Sequence, residues 1–446
     1  MTSKIYNLKD LQNSLGPNLY ARGKELIPGG TQLLSKRPEM FAPEVWPSYF
    51  SKAKGINVWD LENRQFSDFS VMGIGASILG YADDDVDSAV TDCISKGVAS
   101  SLNCPEEVEL AEELIALHPW FDMVRYAKSG GEAVAISIRI ARAHTSRDII
   151  LFSGYHGWSD WYLAANLADN NNLDGQLMPG LSPAGVPRGL KGSAIPFNAN
   201  DYEDLKLKIK GKESKIAAII IEPARGKEPN PEYLKKLKGI SEEIGCVLIF
   251  DEITSGFRVC PGGIHRKYGI NPDIAVFAKS LANGYPMAAL IGVQKVMESA
   301  QSTFISSTNW TDRIGPVAAL ATIKKYNRLN VDKHIIAIGE ACQSIWSKHA
   351  QENNLDITIS GLPTLSAFNF NSNHASQLMT RFTTEMLQRG FLAWRQFKPS
   401  YAHKDLDLKL YESAISEVFK EMSSIDPDNI LQTPQAHSGF TRLTKE

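Results

Sequence analysis

The chain reads as an α/β protein: a large lobe built on a mostly parallel central sheet flanked by helices, joined to a smaller α+β lobe. Three observations predict this. First, short apolar runs such as Ile216–Ile221, Cys246–Phe250, Ile274–Ala278 and Ala288–Val293 are continuous rather than alternating. That is the pattern of strands buried on both faces of a sheet. Second, three of these runs end abruptly in charge, at Glu222, at Asp251-Glu252 and at Lys279, and ligands of open α/β sheets lie at the carboxyl ends of such strands. Third, the chain has 446 residues, more than one core usually organises, so two lobes are expected.

The segments follow in order. Residues 1–65 form an arm expected to join the small lobe: a helix over Asn18–Leu26, a turn at Pro28-Gly29-Gly30, the basic pair Lys36-Arg37 and a hairpin in the alternating run from Gly55 to Phe69. Residues 66–328 form the large lobe. Within it, Ser129-Gly130-Gly131 opens a helix with apolar residues at Ala133, Ile136 and Ile140. A glycine-rich helix start offers unpaired N–H groups, a positive dipole end and close backbone approach, and so suits a phosphate. A strand near 147–154 then leads to Tyr155-His156-Gly157-Trp158. The Asn-, Gly- and Pro-rich residues 165–200 read as a long loop, the strand Ile216–Ile221 ends in Glu222-Pro223, and Pro231–Ile244 reads as a helix. Residues 329–446 form the small lobe, with helices near 377–390 and 413–423.

Apolar residues make up 43% of the chain and charged residues 22%, with a net charge of −3. No basic surface for nucleic acid is indicated. No apolar stretch approaches the roughly 20 residues of a membrane span, and no secretory leader is evident at the N-terminus. The cysteines at 93, 104, 246, 260 and 342 have no metal-site spacing, so no metal is expected. Free thiols and a cytoplasmic location are the simplest account.

An aspartate and a lysine at neighbouring strand ends point to one cofactor. Either alone would read as a helix-capping acid or a surface amine. Together they match pyridoxal 5′-phosphate (PLP), whose aldehyde forms a Schiff base with a lysine and whose ring nitrogen needs an anion to keep its proton. Asp251 and Lys279 are therefore the expected catalytic pair.

DEITSGFRV (251–259) and FAKSLANGYPMAALIG (277–292) resemble the class III, fold type I aminotransferases, most closely the group containing glutamate-1-semialdehyde aminomutase. The likeness runs from KELIPGGTQLLSKRP to about residue 325. It implies that Ser129, Gly130 and Gly131 hold the cofactor phosphate, with Gly131 standing where relatives carry Thr or Ser. It implies that Tyr155 and Ile253 flank the ring, with His156 and Glu222 beside it. It places Arg37 near an arginine that takes a substrate carboxylate. Trp158, read from the residues alone, is either a pocket candidate or part of the core. It also implies a homodimer with shared sites, in which Thr308 or Thr311 reaches the neighbouring phosphate. The expected activity is transfer of an amino group between a small-molecule amine donor and a carbonyl acceptor. An aminomutase is the alternative, with a racemase or decarboxylase on the same fold behind it. A PLP-binding scaffold without turnover is the non-enzymatic alternative.

Overall fold

The computed structural model describes residues 4–176, 179–224, 228–426 and 429–439. The chain divides into two compact units, one comprising Met1–Asp83 with Lys333–Glu446 and the other Asp84–Asp332.

The central unit is built on a seven-stranded sheet. Its strands are β1 (Met123–Ala127), β2 (Ile149–Ser153), β3 (Ala194–Pro196), β4 (Ile216–Ile221), β5 (Val247–Asp251), β6 (Ile274–Phe277) and β7 (Ala288–Gly292), in the spatial order β1-β7-β6-β5-β4-β2-β3. The pairings from β6 through β5, β4 and β2 to β3 are all parallel. Strand β7 runs antiparallel to both neighbours. The cause is chain length: parallel neighbours need a crossover of a dozen or more residues, and Phe277 to Ala288 leaves too few. Every residue of β4, β5, β6 and β7 is buried, which is why these strands read as unbroken apolar runs.

Helix α1 (Gly130–Thr145) crosses one face of this sheet, burying Ala133, Val134, Ile136, Ile138 and Ile140. It starts where it does because Ser129 and Glu132 form a capping box, each side chain bonding to the other's backbone N–H. Helix α2 (Pro231–Ile244) has equally plain punctuation. The Asn230 side chain accepts from Glu232 and Tyr233 N–H, Pro231 takes the first position, and Gly245 closes it at φ 64°. Burying one aliphatic side chain contributes about 1.5–3 kcal/mol, so the continuous isoleucines of β4 hold the sheet centre strongly.

The other unit has a four-stranded sheet of residues 52–54, 57–59, 65–69 and 391–393, and a three-stranded antiparallel sheet of residues 357–360, 366–370 and 396–397. The hairpin expected from the alternating run is the antiparallel pair 57–59 with 65–69. Its second strand also pairs with Phe391–Ala393. Residues past 65 therefore belong to this unit, and the chain divides at 83/84 and 332/333 rather than at 65/66 and 328/329. Trp346, Phe368, Phe382, Tyr411 and Phe419 fill its core.

Candidate active site

The site grows from the carboxyl ends of β2, β4, β5 and β6 and the start of α1. Strand β5 delivers Asp251, only 2% exposed, to the sheet edge. Its Oδ2 lies 2.8 Å from His156 Nδ1, and its Oδ1 accepts from Ile253 N at 3.1 Å. His156 Nε2 faces the Ser153 carbonyl at 3.2 Å. The imidazole is thus held at both ring nitrogens, by the Asp251 carboxyl on one side and the Ser153 carbonyl on the other. Burial pushes the Asp251 carboxyl above the ordinary carboxylate range, against the lowering effect of His156.

The turn after Asp251 links the other parts. Ile253 packs so closely on α1 that a Cβ on Gly130 would meet its Cδ1 at 2.7 Å. Thr254 Oγ1 accepts from Lys279 Nζ at 2.9 Å. Lys279 itself sits at φ 47°, in the left-handed region. That is costly for a side-chain-bearing residue and is concentrated at functional positions. Glu252, 1% exposed, turns to the opposite side, where its carboxylate holds His265 Nδ1 at 2.7 Å and the Ser255 hydroxyl.

Strand β2 is followed by Gly154, φ 114°, a conformation that favours glycine; a Cβ there would meet Glu222 Oε2 at 2.7 Å. That Glu222 oxygen accepts from Tyr155 N at 2.8 Å. The Tyr155 ring meets Tyr162 edge-on, with centroids 5.9 Å apart.

At the start of α1, Glu132 Oε2 gathers the N–H groups of Lys128 and Ser129, at 3.1 and 2.9 Å, and the Ser129 hydroxyl, at 3.0 Å. Its Oε1 takes Trp310 Nε1 at 3.3 Å. A Cβ on Gly157 would meet Gly131 Cα at 3.1 Å, so two glycine backbones touch beside the helix end. A Cβ on Gly131 itself would meet the Trp158 indole at 3.5 Å, an ordinary contact. Trp158 is 72% exposed and lines a surface cavity of about 400 Å³ with Arg139, Arg142 and Asp160. Thr308 and Thr311 share one 3₁₀ turn, in which the Thr311 hydroxyl donates to the Thr308 carbonyl at 3.1 Å.

Asp251, Ile253, His156, Tyr155, Glu222, Ser129, Gly130, Gly131 and Lys279 are thus joined by contacts running through one turn and the start of one helix. Arg37 belongs to the other compact unit, where it lies against Gly29. Sequence reasoning passed over Thr254, Trp310 and Gln176, whose Oε1 accepts from Gly154 N at 2.7 Å. Thr254 lies inside the quoted motif and could have been noticed there; Gln176, in a polar loop, carried no signal.

A buried carboxylate, a lysine amine on a strained turn, a glycine-lined helix start and an aromatic face make up the donor set that PLP requires, and these residues fit it. The sequence profile of the family Aminotransferase class-III matches residues 41–403. The chain belongs to the class III aminotransferases.

It is 31% identical to the 3-aminobutyryl-CoA aminotransferase of Cloacimonas acidaminovorans (strain Evry), over 92% of this chain and 97% of that protein. It is also 31% identical to the glutamate-1-semialdehyde 2,1-aminomutase of Francisella tularensis subsp. tularensis (strain SCHU S4 / Schu 4), over 73% of this chain and 76% of that protein. Among solved structures, the PLP internal aldimine form of Sphingopyxis sp. MTA144 FumI protein superposes with a TM-score of 0.83. It does so at 23% identity, over 93% of this chain and 99% of that one. The fold is therefore fold type I, and the cofactor of this class III aminotransferase is PLP. Its substrates are small-molecule amines and carbonyl compounds. Among the described residues no helix is long and apolar enough to cross a membrane, and no cluster of three or more potential metal ligands is present.

Proposed function

We propose that this class III aminotransferase moves an amino group between two separate molecules, with Lys279 as the proton-transferring amine and Asp251 as the anion at the cofactor ring nitrogen. The turn 251–254, which joins the Asp251 carboxylate, Ile253 and the Thr254-bound amine of Lys279, supports the two residue roles. The likeness to an aminotransferase over 92% of this chain supports transfer between separate molecules. PLP, when bound, supplies an aldehyde for the substrate amine and a ring that draws electrons from the adjacent carbon.

The protein's share is holding and moving protons. With PLP bound, the Lys279 amine would hold it, and once released by a substrate amine it would be the group placed to move a proton to and from the substrate carbon. Asp251, dry and backed by His156, keeps a proton on the ring nitrogen where low dielectric makes the pairing strong. Tyr155 and Ile253 bound the slot on its two faces. The Gly130 and Gly131 backbone N–H groups would receive the phosphate at a helix start that Ser129 fixes through its bonds to Glu132, without the hydroxyl that a Thr or Ser at 131 would add. Glu222 fixes the Tyr155 backbone, and Arg37 and Trp158 are read as substrate contacts.

The active form is read as a homodimer. Of the two threonines, Thr308 is the better candidate for a neighbouring phosphate, because the Thr311 hydroxyl is engaged within its own turn. The five cysteines are unpaired, which suits a reducing compartment, read here as the cytoplasm.

The test is a panel of amines, including alanine, 3-aminobutyrate and its CoA thioester, added to the PLP-loaded protein without an acceptor. Intermolecular transfer requires one amine to bleach the yellow absorption stoichiometrically and to release a carbonyl product. If instead the only productive compound returns as an isomer carrying its amine on the next carbon, the aminomutase reading replaces it.

A further inference from the structure

Thr254 is a hydroxyl in the turn that carries the buried anion, and it is the observed acceptor for Lys279 Nζ, at 2.9 Å. The turn that places it is braced from several sides. Its own carbonyl accepts from Arg258 Nε at 3.0 Å, and Arg258 is 1% exposed. Two residues earlier, Glu252 is tied to both the backbone and the ring of His265. One residue later, Ser255 donates to Glu252. Two residues later, Gly256 N donates to Glu252 O at 2.7 Å, and a Cβ on Gly256 would meet the Phe277 ring at 2.8 Å. Thr254 therefore cannot drift, and a hydrogen bond to it fixes direction as well as distance.

We propose that Thr254 is the positioning residue for Lys279: its hydroxyl accepts an N–H of the lysine amine and aims the nitrogen at the cofactor, both when the amine captures PLP and after it has been displaced. The proposal rests on the reading of Lys279 as the amine that bonds PLP. The chemistry suits a hydroxyl. In capture, the neutral Nζ adds to the aldehyde carbon. Its two hydrogens leave with the aldehyde oxygen as water, and a C=N bond remains. After displacement the amine is NH₂, and once it has taken a proton from the substrate it is NH₃⁺. A threonine oxygen accepts from either form, so the nitrogen need not be reoriented between taking the proton and giving it back. A carboxylate there would favour NH₃⁺ and weaken the base, and an apolar side chain would remove this acceptor from the amine. The lysine backbone, held at φ 47°, limits the stem from the other end.

The experiment uses PLP itself as the probe, so no substrate need be known. Cofactor-free, full-length protein is mixed with PLP, and two signals are followed: protein fluorescence for binding, and the yellow absorption for the C=N bond. Thr254→Val keeps the side-chain shape and removes the acceptor; Thr254→Ser keeps the acceptor. The expected result is wild-type PLP binding in both variants, C=N formation about tenfold slower in Thr254→Val, and restoration in Thr254→Ser. Tenfold is what losing one oriented hydrogen bond of about 1.4 kcal/mol produces. A wild-type rate in Thr254→Val overturns the proposal. So does equal slowing in both variants, or slowing that only follows lost binding. Lys279→Ala separates the two readings. If it still gains the yellow band, the assignment of Lys279 fails. If it stays colourless while Thr254→Val behaves as wild type, only the role of Thr254 fails.

Discussion

The proposed mechanism leans most on one residue, Asp251. It is 2% exposed and bonded to one imidazole and one backbone N–H, with the Glu222 carboxylate near enough to act on its charge. Replacing it with asparagine keeps size and burial and removes the negative charge. Removing one preorganised electrostatic group of this kind costs on the order of 10²–10³ in rate. Asp251→Asn should therefore retain bound, yellow cofactor and lose about that factor in the rate of bleaching by a productive amine, measured in a single turnover. Full activity in that variant would remove Asp251 from the mechanism. This residue and Lys279 were legible in the sequence because a charge that abruptly ends an apolar run is conspicuous. Thr254, inside the same quoted motif, was passed over, since a small hydroxyl in a turn looks the same whether it caps a backbone or accepts from a lysine amine. Trp158, open to either a pocket or a core role from sequence, proves to be a surface-exposed indole against Gly131; no periodicity could have settled that.

At the level of elements, the start of α1 gives opposite expectations for adjacent glycines. A Cβ on Gly130 runs into Ile253, while one on Gly131 meets Trp158 at ordinary distance. Gly130→Ala should push Ile253 into the slot and weaken PLP binding. Gly131→Ser should be accommodated and, by adding a hydroxyl at the helix start, tighten PLP several-fold, within the 0.5–1.5 kcal/mol of one hydrogen bond. Equilibrium titration with PLP checks both, and equal losses in the two variants would contradict the geometry. Elements with strong punctuation were legible nearly to the residue: Asn230, Pro231 and Gly245 bound α2 in sequence and in structure alike. The reversed direction of β7 was not read, because burial pattern records which strands are central and nothing of their direction. The span of the connecting turn was the available clue.

For the molecule as a whole, the buried His118 adds to the loss of stability in acid. Burial pushes His118 down to about 3, aided by His265 and Arg266 and opposed by its bond to the Leu114 carbonyl. An unfolded histidine titrates near 6.5. Below that pH the unfolded chain binds a proton that the folded chain refuses until about 3, so the contribution of His118 is fully present above about 6.5 and is lost as pH falls. The slope is about 1.4 kcal/mol per pH unit, or about 2 kcal/mol between pH 6.5 and 5. His118→Gln should lose stability at pH 7, yet lose less than wild type between pH 7 and 5 in denaturant titrations; an unchanged slope would show that His118 titrates normally. The two-unit division was only partly legible. Chain length alone called for two lobes, whereas the strand at residues 65–69 is assigned by its pairing with Phe391–Ala393 more than three hundred residues away.

The central claim is that Lys279 bonds PLP covalently while Asp251 holds the ring. The most direct test is the visible absorption spectrum of the purified protein with added PLP, beside Lys279→Ala and Asp251→Asn. The expected result is a yellow wild type, a Lys279→Ala protein without the Schiff-base band, and a yellow Asp251→Asn that bleaches slowly. A wild type that stays colourless with PLP, or a Lys279→Ala protein with the wild-type spectrum, would contradict the account.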